Sequence, residues 1–396
     1  MTAFDFDRII PREGTASVKW DGRQAYFGSR DLLPLWVADM DFAVPDAVTR
    51  ALAERAAHPV HGYTLYPDDL FDALVTWLAD RHGWAVDPAW ILMAPGVVPS
   101  LHAAALAFAG TGEGIIVQPP VYFPFFSAVT ATGRSLIENP LVREGDDYRM
   151  DLDHLEACAA RPDARVLFLC SPHNPVGRVW RREELDAVLD IARRHDLLIL
   201  SDEIHHDLVF PGQRHIPLAT LDDAPSRVVT ALAPSKTFNI PGLGLSALVV
   251  PEAEQRAALR RSFDLLHVSA SNPFSVAAFG AAYREGGPWL DALLAYLTRT
   301  RDEAMDYLAR LVPAIRPLAP QGTYLLWLDC RALGLDDPAL KDFFIREARV
   351  GMNPGPVFGT GGAGHMRLNL GAPRAVVMEA LSRIRDAVAC RPAPPR

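Results

Sequence analysis

The chain has 396 residues, enough for two domains, and its 49% hydrophobic and 22% charged residues exclude wholesale disorder. A formal net charge of −9 excludes the basic footprint of a general nucleic-acid binder. No run approaches the roughly 18 apolar residues of a membrane span.

In chain order, Ile115 to Val117 reads as a short buried strand, and so does Val166 to Leu169. Arg181 to His195 follows with Leu185, Val188, Leu189 and Ala192 at helical spacing, and then come strands at Leu197 to Leu200 and Val228 to Val229. This alternation predicts a mostly parallel sheet flanked by helices. From Pro288 the pattern changes. Trp289, Leu290, Leu293, Leu294, Leu297, Met305, Leu308 and Leu311 predict one long helix, opened by Gly287 and Pro288. A strand at Tyr324 to Leu328, a helix near Leu340 to Arg349 and a strand at Met366 to Leu370 predict a smaller α+β domain. The Pro-rich tail from Arg391 to Arg396 is expected to fray. The expected division is a large domain over 46–287, with 1–45 and 288–396 forming an N-terminal arm and a small domain.

Four cysteines (Cys158, Cys170, Cys330 and Cys390) lie far apart, and the first residues carry no apolar signal-like run. A reducing cytoplasm is the expected setting. There are three lysines, Lys19, Lys236 and Lys341, against thirty-six arginines. A lysine kept amid such a bias suits chemistry that arginine cannot perform, namely deprotonation and Schiff-base formation. Lys19 and Lys341 read as solvated surface charges.

Ligands of open parallel sheets bind beyond the carboxyl ends of the strands. The first strand leads to Tyr122, the second to Ser171-Pro172-His173-Asn174-Pro175, the third to Asp202 and the fourth to Lys236. An aromatic, an amide, a carboxylate and a lysine converging on one crevice suit pyridoxal 5'-phosphate (PLP). The lysine would form the Schiff base, the carboxylate would keep the pyridine nitrogen protonated, the amide would donate to the phenolic oxygen, and the aromatic would stack on the ring. Each residue also has a plain structural reading. Asp202 could be a helix N-cap, Asn174-Pro175 a turn and Tyr122 a packing residue.

Leu33-Pro34-Leu35-Trp36-Val37-Ala38-Asp39-Met40-Asp41-Phe42, Gly62-Tyr63-Thr64, Ser171 to Pro175, Ser201-Asp202-Glu203-Ile204-His205, Pro234-Ser235-Lys236-Thr237-Phe238-Asn239 and Arg367-Leu368-Asn369 stand in that order along nearly the whole chain. So arranged, they resemble the fold-type-I PLP enzymes of the aminotransferase class I/II superfamily, and within it the MalY/PatB group of cystathionine β-lyases. The resemblance implies an α/β PLP-dependent transferase fold. It makes Lys236, Asp202 and Tyr122 the catalytic set. It adds Asn174, His205, Ser235, Gly96, Val97, Val98 and Tyr63 to the cofactor's contacts. Arg367, Asn174, Ala38 and Asp39 are implied on the substrate side, with Arg367 gripping the α-carboxylate. Tyr63 is implied to reach the neighbouring subunit's cofactor, which makes the partner a second copy of the chain in a homodimer with shared sites.

Many aminotransferases carry Tyr where this chain has His205, and the lyase group carries His. Ala233 stands where that group often has Ser, and Gly244 where some aminotransferases have a basic residue. The function implied is β-elimination from small sulfur amino acids such as L-cystathionine. An aminotransferase is the alternative enzyme, and a regulatory protein that binds a partner is the alternative of another class. Gly359 to Gly364 fits GxGxxG, but a strand pattern follows it rather than a helix. His58-Pro59-Val60-His61 and His205-His206-Asp207 lack the HExxH helix pattern, so no metal is expected.

Overall fold

The computed structural model describes residues 4–222, 227–268 and 272–391. The tail expected to fray lies, beyond Arg391, outside the described residues. The central element is a seven-stranded sheet. Its strands are β1 (Ile91–Ala94), β2 (Gly114–Val117), β3 (Ser135–Glu138), β4 (Ala164–Cys170), β5 (Leu198–Asp202), β6 (Val228–Leu232) and β7 (Ser246–Val249). They lie in the order β1-β7-β6-β5-β4-β2-β3. β7 runs antiparallel to both neighbours, and the other pairs are parallel. β1, β3 and β7 were not expected. Four residues each, without clear alternation, leave little periodic signal in the sequence.

Successive residues point to opposite faces of the sheet. Ile115, Val117, Leu200 and Val229 enter one core, and Ile116, Ile199 and Val228 enter another. Helix α1 (Val97–Phe108) covers the first face with Leu101, Ala103, Ala104 and Ala105, and helix α2 (Arg182–Arg194) covers the second with Leu185, Val188, Leu189 and Ile191. Both faces are therefore dry, as a parallel sheet requires.

The long helix α3 (Gly287–Leu311) starts where Gly287 and Pro288 predict. Its first half packs Trp289, Leu290, Leu293 and Leu297 beside the large sheet. Its second half sends Ala304 and Leu308 into a separate core under a four-stranded antiparallel sheet. That sheet contains β8 (Arg316–Leu318), β9 (Leu325–Asp329), β10 (Asn353–Pro354) and β11 (His365–Asn369), in the order β8-β9-β11-β10. Leu35, from the start of the chain, lies in the same core. The helix expected near Leu340 to Arg349 begins earlier, at Asp337, because the Asp336 side chain accepts from Ala339 N (2.9 Å). It ends in a wider turn over Phe343–Glu347. Among the described residues no helix is long and apolar enough to cross a membrane.

Lys19 corrects the surface reading. It is fully buried, with Nζ 2.7 Å from Asp41 Oδ2 and 3.3 Å from the Asp39 carbonyl. Arg12 completes the cluster, at 2.7 Å from Asp39 Oδ2 and 2.6 Å from Asp41 Oδ1. Burial alone would push Asp41 up, but Lys19, Trp20 and Arg12 together hold it below the usual carboxylate range. The two carboxylates stand some twenty residues further along the chain, so only folding shows why this lysine is inside.

Removing one partner of a buried pair strands the other charge, at a cost of about 3–5 kcal/mol. Lys19→Met should therefore lower the melting temperature sharply, while Lys341→Met, at a half-exposed position, should leave it nearly unchanged. Equal melting of the two variants would contradict the buried pair.

Candidate active site

The carboxyl ends of the parallel strands open onto a cleft of about 200 Å³. β5 delivers Asp202 as its last residue. The loop after β4 delivers Asn174, the loop after β2 delivers Tyr122, and the turn Pro234–Thr237 after β6 delivers Ser235 and Lys236. Gly96, Val97 and Val98 line the same cleft at the N-terminus of α1, where no side chain caps the free amides. Such an end attracts an anion. His205 and Ala38 complete the expected residues on the wall.

Lys236 Nζ donates to the Ala38 carbonyl at 2.6 Å. Burial lowers its pKa to about 8, with Arg367 acting in the same direction against the opposing pull of Asp39 and Asp202. Burial raises Asp202 to about 7, and Glu203 adds to that rise, while the amide of Ile204 (3.1 Å from Oδ1) and Lys236 oppose it. Asp202 caps no helix, since a turn follows it. Its carboxylate is buried with one hydrogen bond and a lysine nearby, and so is poised to hold a proton for a basic ring nitrogen.

Arg367 on β11 is buried. It donates to Asn174 Oδ1 (3.0 Å), the Trp36 carbonyl (3.0 Å) and Asn353 Oδ1 (2.7 Å), and it stacks over Phe358. Its Nε has no hydrogen-bond partner among the described residues. A buried guanidinium held by neutral groups, with a donor to spare, suits a carboxylate ligand. Burial raises the Tyr122 hydroxyl pKa, with Asp202 adding to the rise and Arg367 opposing it. His205 keeps an unpartnered Nδ1, and burial, with the neighbouring cations, pushes its pKa well down.

Three expected residues do not line the cleft, of which Arg367 reaches it through Asn174. Asp39 does not line the cleft, because its carboxylate is spent on Arg12. Tyr63 is fully exposed and lies in a surface groove with His61 and Phe274, outside this chain's cleft.

The sequence reading assigned no role to the residues that hold the Ala38 segment. Asn239, at φ 58°, accepts from Met40 N (2.8 Å) and donates to the carbonyls of Met40 and Phe42 (2.9 Å each). Asn369 donates to the carbonyls of Val37 (2.6 Å) and Asp39 (2.7 Å). The Tyr324 hydroxyl donates to the Ala38 carbonyl at 2.8 Å. Both asparagines end motifs that were visible in the sequence. Tyr324 had no signal beyond the onset of a strand.

Residues 30–384 match the family described as Aminotransferase class I and II. The chain is 42% identical over 385 residues to the cystathionine beta-lyase PatB of Bacillus subtilis, covering 97% of this chain and 100% of that protein. It is 34% identical over 387 residues to the protein MalY of Escherichia coli, covering 97% and 99%. Among solved structures, cystalysin from Treponema denticola, which contains a pyridoxal 5'-phosphate cofactor, superposes with a TM-score of 0.95 at 35% identity, covering 98% of this chain and 99% of that one.

The raised pKa of Asp202 carries a stability prediction. With no ligand bound, the folded chain keeps a proton up to about pH 7 that the unfolded chain releases near 3.8, so stability falls as pH rises through that window. Asp202→Asn removes this penalty. As pH rises from about 4 to about 7 the ligand-free variant should gain stability on the wild type, by on the order of 4 kcal/mol in full, read as a growing gap in melting temperature. A gap that closes as pH rises would contradict the buried carboxylate.

Proposed function

The chain belongs to the aminotransferase class I and II family, and from that premise we propose that it is a PLP-dependent carbon–sulfur lyase that cleaves L-cystathionine and related β-thio amino acids. The observation that carries the reading is the Lys236–Asp202–Asn174–Tyr122 set, gathered in one cleft with an uncapped helix end. It fits the cofactor group by group. The free amides of Gly96, Val97 and Val98, with Ser235, suit a phosphate. The Asp202 carboxylate suits a protonated pyridine nitrogen, Asn174 a phenolic oxygen, Tyr122 a ring face and Lys236 an aldehyde. His205, with its unpartnered Nδ1, borders the same space. When bound, the cofactor supplies an electron sink for the negative charge that develops at the substrate's Cα.

The chain's own residues then divide the work. Arg367 binds the substrate α-carboxylate through its spare donor. Lys236, with its pKa near 8, is neutral often enough at neutral pH to take the Cα proton. Asp202 holds the proton on the ring nitrogen and so keeps the sink effective. Asn239, Asn369 and Tyr324 fix the Ala38 carbonyl, which orients the Lys236 amine. Loss of the Cα proton lets the Cβ–S bond break, with the electron pair leaving on sulfur, which is protonated to the thiol. Water completes the reaction, so that L-cystathionine gives homocysteine, pyruvate and ammonia.

The same proposal places the cofactor in a large unit over 46–287, with 1–45 and 288–396 as an N-terminal arm and a small domain. It also makes the working form a homodimer. Val60, Tyr63 and Leu65 stand 63%, 108% and 86% exposed on one extended segment, a run of apolar surface that suits burial against a second copy. The four cysteines are unpaired, which suits the cytoplasm.

Two experiments test the reading. Incubated with L-cystathionine and no 2-keto acid, the enzyme should release pyruvate over many turnovers, Lys236→Arg should release none, and Asp202→Asn should be slower by about 10²–10³-fold. One turnover per site followed by a stall that a keto acid relieves would make it an aminotransferase. For the dimer, inactive Lys236→Ala and inactive Tyr63→Ala chains mixed under subunit exchange should regain part of the activity, because a hybrid holds one site with both groups. No recovery despite proven exchange would take Tyr63 out of the partner's site.

A further inference from the structure

Beside the Lys236 turn, the structure gathers three histidines and two carboxylates that the reaction does not use. His82 ends the helix Asp68–His82, and His206 and Asp207 lie in the turn after β5. His82 Nε2 is 2.8 Å from Asp207 Oδ1, and His206 Nε2 is 3.2 Å from Asp207 Oδ2. One ligating atom from each of the three falls within 4.8 Å of the others. Together with His215 they line a separate, solvent-open recess of about 260 Å³.

The state of His206 is set by its other nitrogen. Nδ1 lies 2.7 Å from the Glu203 carbonyl, which can only accept, so Nδ1 carries a proton. Nε2 has no hydrogen-bond partner among the described residues although the residue is 2% exposed, and it lies beside the Asp207 carboxylate. A cation placed between the two would engage both.

We propose that His82, His206 and Asp207 form a binding site for one divalent transition-metal ion of the zinc type, with a fourth position open to water. The donor set is that of such a site: two imidazoles and a carboxylate. The 3.2 Å between His206 Nε2 and Asp207 Oδ2 matches neighbouring corners of a tetrahedron with bonds of about 2.0–2.1 Å. The surroundings supply the outer contacts that orient ligands. The Glu203 carbonyl holds His206. Trp77 Nε1 (3.0 Å) and Thr237 Oγ (2.8 Å) hold the Asp207 carboxylate. His215 has Nε2 spent on Glu203 Oε2 at 2.8 Å, and its buried Nδ1, without a partner among the described residues, is available to a water on the ion. Of the two arginines bordering the recess, Arg81 is paired with Asp291 at 2.7 Å, which leaves Arg214 as the charge the ion must overcome. Binding moves the proton between His82 Nε2 and Asp207 Oδ1 to His82 Nδ1 or to water, with no change of redox state. Because Thr237 follows Lys236, an ion on Asp207 stands one hydrogen bond from the turn that carries the reactive amine.

From the sequence no metal is expected, because His205-His206-Asp207 lacks the HExxH helix pattern. The missing ligand, His82, comes from a distant helix. The test uses holoenzyme cleared of metal by chelation and titrated with Zn²⁺ by calorimetry and with Co²⁺ by its visible bands. One saturable ion per chain is expected. His82→Ala and His206→Ala should each weaken it on the order of 100-fold, while His61→Ala, away from the recess, should not. In the unsubstituted enzyme, Zn²⁺ should also protect His82 from acylation by diethyl pyrocarbonate, a readout that does not depend on how the variants fold. Absence of saturable binding, binding that survives both substitutions, or unprotected His82 would overturn the proposal.

Discussion

The hydrogen bond from Lys236 Nζ to the Ala38 carbonyl joins parts of the chain 198 residues apart. It ties the end of the large parallel sheet to the N-terminal segment, and the same carbonyl accepts from Tyr324 beside the small sheet. Three regions of the chain therefore meet on one oxygen. The segment that supplies it has little regular structure of its own, so side chains hold it in place. Asn239 and Asn369 take its backbone groups, and Lys19 and Arg12 neutralise its two aspartates. A partly buried amine needs a fixed acceptor, because a donor left unsatisfied away from water is costly.

The cleft's electrostatics follow from that burial. Lys236, Arg367 and His205 are pushed toward their neutral forms and Asp202 toward its protonated form, each chiefly by loss of water. Arg367 has no ion-pair partner among the described residues. The cleft is thus short of negative charge in two places, at the guanidinium and at the open end of α1. In the proposed reaction an amino acid would bring a carboxylate and the cofactor a phosphate, and their binding would relieve both deficits. The fold keeps these groups strained in charge but fixed in place, which is the preorganisation that catalysis draws on.

Much of the fold was legible where local pattern and burial agree. β2, β4, β5 and β6 are short apolar runs buried on both faces, and α2 and α3 show clear helical spacing with good starts. β1 and β7 were not legible, because four buried residues lack a period. Lys19 was misread because its partners are remote. In the cleft, Lys236, Asp202, Asn174 and Tyr122 could be read because each stands at or a few residues beyond the carboxyl end of a strand, and strand ends in a parallel sheet share one edge.

By itself, then, the sequence determined the alternation of strand and helix, the four groups at the strand ends and the motifs that carry the family likeness, because these depend on neighbours within a few residues. Tertiary structure alone decided that Asp39 turns away to Arg12, that Tyr63 faces outward, that Lys19 is buried and that His82 meets His206 and Asp207. Tyr63 faces outward because nothing else among the described residues packs over it, and the other three depend on which remote charge or carbonyl comes within about 3 Å, the reach of a hydrogen bond; no local pattern in the chain encodes either.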